Sequence, residues 1–110
     1  MAAVKKFRAV CKKGVAGCVT AWDYPTAMLA EEAGMDLILI GDSTSIVAMG
    51  EKDTQGMIVD EMIYRCKAVA RGAKSPFLLG DMPFGSYEQS PEQGKPAVNR
   101  FVWRADSAQP

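Results

Sequence analysis

Two short apolar runs, Leu37-Ile38-Leu39-Ile40 and Phe77-Leu78-Leu79, each end in Gly-Asp, at Gly41-Asp42 and Gly80-Asp81. Neither run alternates apolar with polar residues. Unbroken runs of this kind are strands covered on both faces, the pattern of a parallel sheet. Parallel neighbours need a long crossover between them, usually a helix, and the intervening sequence supplies helices. This feature restricts the chain to the α/β class.

The remaining segments fit that frame. Residues 3–13 place Val4, Phe7, Val10 and Cys11 at helical spacing, with Gly14 as the stop. Residues 15–21 read as a short apolar, β-branched strand. Asp23-Tyr24-Pro25 combines a capping carboxylate with an early proline, so a helix over 26–33 follows and stops at Gly34. Residues 35–40 form the second strand and 41–58 a polar loop. Residues 59–71 carry Val59, Met62, Ile63, Cys66, Val69 and Ala70 on one helical stripe. Asp60 and Glu61 in the first turn and Arg71 in the last suit the helix dipole, and Gly72 is expected to close the helix. Residues 77–79 make the third strand, and Ser90-Pro91-Glu92-Gln93 starts another helix with a capping box.

Composition excludes several function classes. Thirteen basic residues balance thirteen acidic ones, so no charge excess draws the chain to nucleic acid or a membrane surface. The basic bunch Lys5, Lys6, Arg8, Lys12 and Lys13 reads as the solvated face of an amphipathic helix. There is no histidine, and Cys11, Cys18 and Cys66 form no CxxC pair, which leaves little for a zinc site. The three thiols read as reduced cysteines of a cytoplasmic protein. A cytoplasmic location is expected, or a mitochondrial one for a eukaryotic source although no transit peptide is evident; the first residues do not read as a secretory signal, and no apolar stretch nears the ~20 residues of a membrane span.

In parallel α/β folds ligands bind beyond the carboxyl ends of the strands. Asp42 and Asp81 occupy matching positions just past two such ends. Consecutive strands are usually neighbours, about 4.8 Å apart, so the carboxylates are expected to converge. Two hard anionic oxygens suit Mg²⁺, which keeps positions for water and substrate. A 2-oxo acid fills two of those positions with its carboxylate and ketone oxygens, and the metal polarises the ketone. An aspartate after a strand also serves as a helix cap or turn residue; the residues alone leave both readings open. Ser43 is either a ligand for a substrate carboxylate or a solvated loop residue. No nucleophile–base pair and no phosphate-cradling glycine loop is present.

Three segments together resemble the ketopantoate hydroxymethyltransferase family, whose members are also named 3-methyl-2-oxobutanoate hydroxymethyltransferases. They are Val19-Thr20-Ala21-Trp22-Asp23-Tyr24-Pro25-Thr26-Ala27, Leu39-Ile40-Gly41-Asp42-Ser43 and Gly80-Asp81-Met82-Pro83-Phe84-Gly85-Ser86-Tyr87. Asp60-Glu61-Met62-Ile63-Tyr64 and Ala68-Val69-Ala70-Arg71-Gly72-Ala73 match as well, and the likeness runs over about residues 16–93. The resemblance implies a partial TIM (β/α)8 barrel, its first three βα units, in the phosphoenolpyruvate mutase and isocitrate lyase superfamily. It implies transfer of a hydroxymethyl group from 5,10-methylenetetrahydrofolate to 3-methyl-2-oxobutanoate, giving 2-dehydropantoate for pantothenate synthesis. It assigns Mg²⁺ and oxo-acid binding to Asp42 and Asp81, and substrate-carboxylate binding to Ser43. Full-length members are expected to be homo-oligomers.

The chain departs from the family at Trp22 (usually Tyr), Thr44-Ser45 (usually Leu-Gly) and Arg65 (commonly His). If the glycine replaced by Ser45 needs positive φ, the loop carries strain of about 1 kcal/mol. Residues 94–110 are expected to form an irregular tail outside the barrel portion 1–93, because Pro96 falls within a helical segment and 103–110 are polar. A barrel needs ~250 residues and eight strands. The family's later lysine, third metal-binding glutamate and general base are expected beyond Pro110, so none of these residues is assigned as catalytic. The expectation is a truncated form, or part of a longer gene, that does not catalyse alone. Two other readings remain. One is a Mg²⁺-dependent lyase or mutase of the same superfamily, disfavoured because Pro83 stands where such enzymes place a second acid. The other is a non-catalytic degenerate fragment.

Overall fold

In the computed structural model, which describes residues 2–106, three parallel strands form one sheet in the order β1-β2-β3. The elements are α1 (Ala2–Lys13), β1 (Cys18–Thr20), α2 (Tyr24–Glu32), β2 (Leu37–Ile40), α3 (Thr44–Val47), α4 (Val59–Gly72), β3 (Phe77–Gly80) and α5 (Pro91–Asp106). The central strand β2 pairs Thr20 with Leu39 on one side and Ile40 with Gly80 on the other. Helices join β1 to β2 and β2 to β3, and α5 follows β3, the arrangement expected of consecutive βα units.

The ends of α2 show how local sequence sets the elements. Oδ1 of Asp23 accepts the Thr26 N–H at 3.0 Å, and Thr26 Oγ1 accepts the Asp23 N–H at 3.2 Å, a reciprocal box. At the other end Gly34 takes φ +77°, with Gly34 N–H on Glu31 O and Met35 N–H on Ala30 O. Those two bonds make a Schellman motif, and the left-handed residue in it favours glycine. Met35 is thereby spent on the cap, which is why β2 begins at Leu37 rather than at residue 35. Likewise β1 spans only Cys18–Thr20, because these are the residues with partners on β2; Val15 is 98% exposed.

The core lies between the sheet and helices α2 and α4. Ile38, Ile40, Met62 and Val69 are fully buried there, each contributing about 1.5–3 kcal/mol. The opposite face of the sheet is only partly covered: Leu37 and Leu39 are half-buried and Leu79 is exposed. On α1, Phe7 stacks on Phe77 with ring centroids 5.2 Å apart. The unbroken apolar character of β2 is thus matched by full burial on one face alone.

One expectation about helices holds and one is corrected. The extended Ala73 follows α4, and Gly72 closes the helix as expected, as its last residue. Its role is close approach: a Cβ there would lie 2.6 Å from Tyr24 O and 2.9 Å from Ala27 Cβ. Residues 94–106 are helical, not irregular, and Pro96 lies inside α5. A proline there forfeits the hydrogen bond to Glu92 O, yet α5 packs on α4 and its buried Gly94 sits against Tyr87. Tertiary contact outweighs the local penalty. Residues 107–110 lie outside the described residues.

Candidate functional site

The carboxyl end of the sheet gathers Asp42, Ser43 and Asp81. Asp81 follows β3 directly, and its N–H donates to Ile40 O at 3.0 Å. Extending the register one step sets Gly41, not Asp42, opposite Asp81. The two aspartates are therefore offset by one residue rather than equivalent. The offset lets the Asp42 backbone N–H donate to Asp81 Oδ2 at 3.2 Å. Gly41 beside this bond is buried, and a Cβ there would make an ordinary contact with Asp81 Oδ2 at 3.5 Å and a tight one with Ser43 Oγ at 3.1 Å.

Neither carboxylate caps a helix. The N-cap of α3 is Ser43, which makes no side-chain capping bond, and the capping box of α2 belongs to Asp23. Asp42 and Asp81 are both half-buried, and Ser43 is exposed. Beneath them lies Cys66 of α4. Burial, and then the nearby Asp81 charge, push its thiol up to about 12, so at neutral pH it is protonated and not a thiolate ligand. Among the described residues no group of three or more His, Cys, Asp or Glu side chains gathers to hold a metal.

The loop after Asp42 differs from the expectation of strain. No non-glycine residue among those described has positive φ. Thr44 and Ser45 begin the short helix α3 instead, both buried and both using their hydroxyls. Thr44 Oγ1 donates to Gly41 O at 2.8 Å, and Ser45 Oγ donates to Asp53 O at 2.9 Å. Arg65 reaches back to the first motif, its Nη1 donating to Trp22 O at 3.4 Å. Thr44 escaped the sequence reading as a site-shaping residue, whereas a glycine before each aspartate was expected to permit close backbone approach. A cleft of about 310 Å³ is lined by Met49, Asp60, Glu61, Tyr64 and Arg65, and neither Asp42 nor Asp81 lines it.

This parallel arrangement recurs among solved structures. A structure of oxaloacetate acetylhydrolase in complex with the product oxalate superposes with a TM-score of 0.65 at 18% identity, covering 83% of this chain and 32% of that one. That likeness shows the fold: consecutive βα units on a parallel sheet, three strands of which lie among the described residues. Sequence comparison is more specific. A family model described as ketopantoate hydroxymethyltransferase matches residues 2–109, and the chain belongs to that family.

Its relatives include a 3-methyl-2-oxobutanoate hydroxymethyltransferase of Oleidesulfovibrio alaskensis, 49% identical over 83 residues, covering 76% of this chain and 29% of the relative. Another is 3-methyl-2-oxobutanoate hydroxymethyltransferase 1, mitochondrial, of Arabidopsis thaliana, 53% identical over 84 residues, covering 76% of this chain and 24% of the relative. The chain spans about a quarter to a third of the length of these curated relatives. The family match extends beyond residue 93, where the resemblance in the sequence alone had faded. Among the described residues no helix is long and apolar enough to cross a membrane.

Proposed function

We propose that this chain furnishes the oxo-acid and Mg²⁺ platform for hydroxymethyl transfer from 5,10-methylenetetrahydrofolate to 3-methyl-2-oxobutanoate, the reaction that yields 2-dehydropantoate in pantothenate synthesis. The observation carrying this reading is the joining of Asp42 to Asp81 through one hydrogen bond at the carboxyl end of the sheet. The donor set fits a hard dication. The Asp42 carboxylate accepts no hydrogen bond among the described residues, and Asp81 keeps Oδ1 beside the Oδ2 held by Asp42 N–H. Asp42 and Asp81 would hold Mg²⁺, which when bound polarises the ketone and acidifies the adjacent C–H.

The rest is the work of the chain. Asp42 and Asp81 orient the oxo acid by fixing where its two chelating oxygens sit. Ser43, exposed at the same rim with its hydroxyl free of capping duty, donates to the substrate carboxylate. The buried apolar layer below, with Ile40 and Ala21 each 1% exposed, excludes water from beneath the site. Proton abstraction is assigned to no residue of this chain.

Titration calorimetry of the full chain tests the reading. Mg²⁺ with 3-methyl-2-oxobutanoate should bind at one site, and Asp42→Asn or Asp81→Asn should abolish measurable binding. Equal binding by wild type and both variants would refute it.

A further inference from the structure

We infer that Thr44 is a positioning residue for the Asp81 carboxylate, acting through the one peptide that joins Gly41 to Asp42. The carbonyl end of that peptide accepts two hydrogen bonds, from Thr44 Oγ1 at 2.8 Å and from the Thr44 N–H at 3.1 Å. The other end, the Asp42 N–H, donates to Asp81 Oδ2 at 3.2 Å. A peptide unit is planar and rigid, so fixing its carbonyl fixes the direction of its N–H. Hydrogen bonds to the carbonyl also polarise the amide and strengthen it as a donor.

Each part of this relay is sheltered. Thr44 is 3% exposed, so its hydroxyl relies on the Gly41 carbonyl rather than on water. Gly41 is buried, so its carbonyl is likewise shielded from water. The hydroxyl contact is made by this chain's Thr44 side chain, beyond the bond its backbone N–H makes to the same carbonyl. Its effect is to hold Oδ2 of Asp81 in one direction and leave Oδ1 turned to a ligand. The consequence for ligand binding rests on the platform reading above, whereas the relay is a property of the bare chain and is measurable without any ligand.

The test compares wild type, Thr44→Val and Thr44→Ser as full 15N-labelled chains, with Thr44→Leu as a second hydroxyl-free variant in case valine impairs folding. In metal-free buffer, loss of the hydroxyl should move the Asp42 amide resonance upfield and speed its hydrogen exchange about five-fold, the scale of one lost hydrogen bond. Thr44→Ser should restore both. In Mg²⁺ titrations the hydroxyl-free variants should bind about five-fold more weakly than wild type, with serine again restoring affinity. An Asp42 amide unchanged in shift and exchange in the folded hydroxyl-free variants would overturn the proposal, as would serine failing to restore it. A wild-type chain that binds no Mg²⁺ refutes the platform reading instead, and the Asp42 amide still decides the role of Thr44.

Discussion

The backbone N–H of Asp42 donates to Oδ2 of Asp81 at 3.2 Å, across a register that sets Gly41 rather than Asp42 opposite Asp81. One aspartate thereby orients the other, and the pair acts as a unit. Asp81→Asn keeps an oxygen to accept that N–H but removes the charge. The expected outcome is a fold unchanged by circular dichroism and a loss of measurable Mg²⁺ binding, beyond the roughly 10- to 100-fold typical of outer partners of metal ligands. Calorimetric titration reads it.

Gly41→Ala separates packing from function. The added Cβ falls 3.1 Å from Ser43 Oγ and 3.5 Å from Asp81 Oδ2. The first contact is tight, but a serine hydroxyl on an exposed residue turns aside easily. Thermal melts should shift by no more than about 1 kcal/mol of stability, while affinity for the oxo acid falls because the Ser43 hydroxyl is displaced.

Gly72→Ala should do the reverse. Its Cβ would meet Tyr24 O at 2.6 Å and Ala27 Cβ at 2.9 Å, backbone and core that cannot rotate away. Forcing α2 and α4 apart costs about 1–3 kcal/mol, measurable by urea denaturation, with no direct effect at the aspartates.

Glu31 gives the fold an acid limit. Its Oε1 accepts the N–H groups of Ser75 at 2.7 Å and Lys74 at 2.9 Å, tying the end of α2 to the turn before β3. Those backbone hydrogen bonds, Ser75 first, hold its carboxyl below its usual 4.5. A depressed folded-state value means stabilisation present above 4.5 and lost as pH falls through the lowered value. Glu31→Gln should flatten the acid side of the stability profile in denaturation series from pH 6 to pH 2.5, on the order of the carboxylate range.

What could be read from sequence was whatever local chemistry decides. Asp23, Pro25 and Gly34 announce the ends of α2 because capping and left-handed φ are properties of a few consecutive residues. The Leu37–Ile40 run announces a buried parallel strand for the same reason. The one-residue offset between Asp42 and Asp81 was not legible, since matching Gly-Asp motifs do not reveal pairing register. Gly72 was legible as the end of α4 but not as a contact with Tyr24, 48 positions away in the chain. Ser45 suggested strain that α3 relieves, and Pro96 suggested a break that packing on α4 overrides. Each of these depends on residues distant in sequence.

The central claim is that Asp42 and Asp81 together form one metal platform, and paramagnetic relaxation tests it most directly. Substoichiometric Mn²⁺ added to the 15N-labelled chain should broaden the amide resonances of Gly41, Asp42, Ser43, Asp81 and Met82 first, with the broadening reversed by excess Mg²⁺. Broadening centred on the other carboxylates of the polar loop and α4, at Glu51, Asp53, Asp60 and Glu61, with the Asp42 and Asp81 amides left sharp, would contradict it.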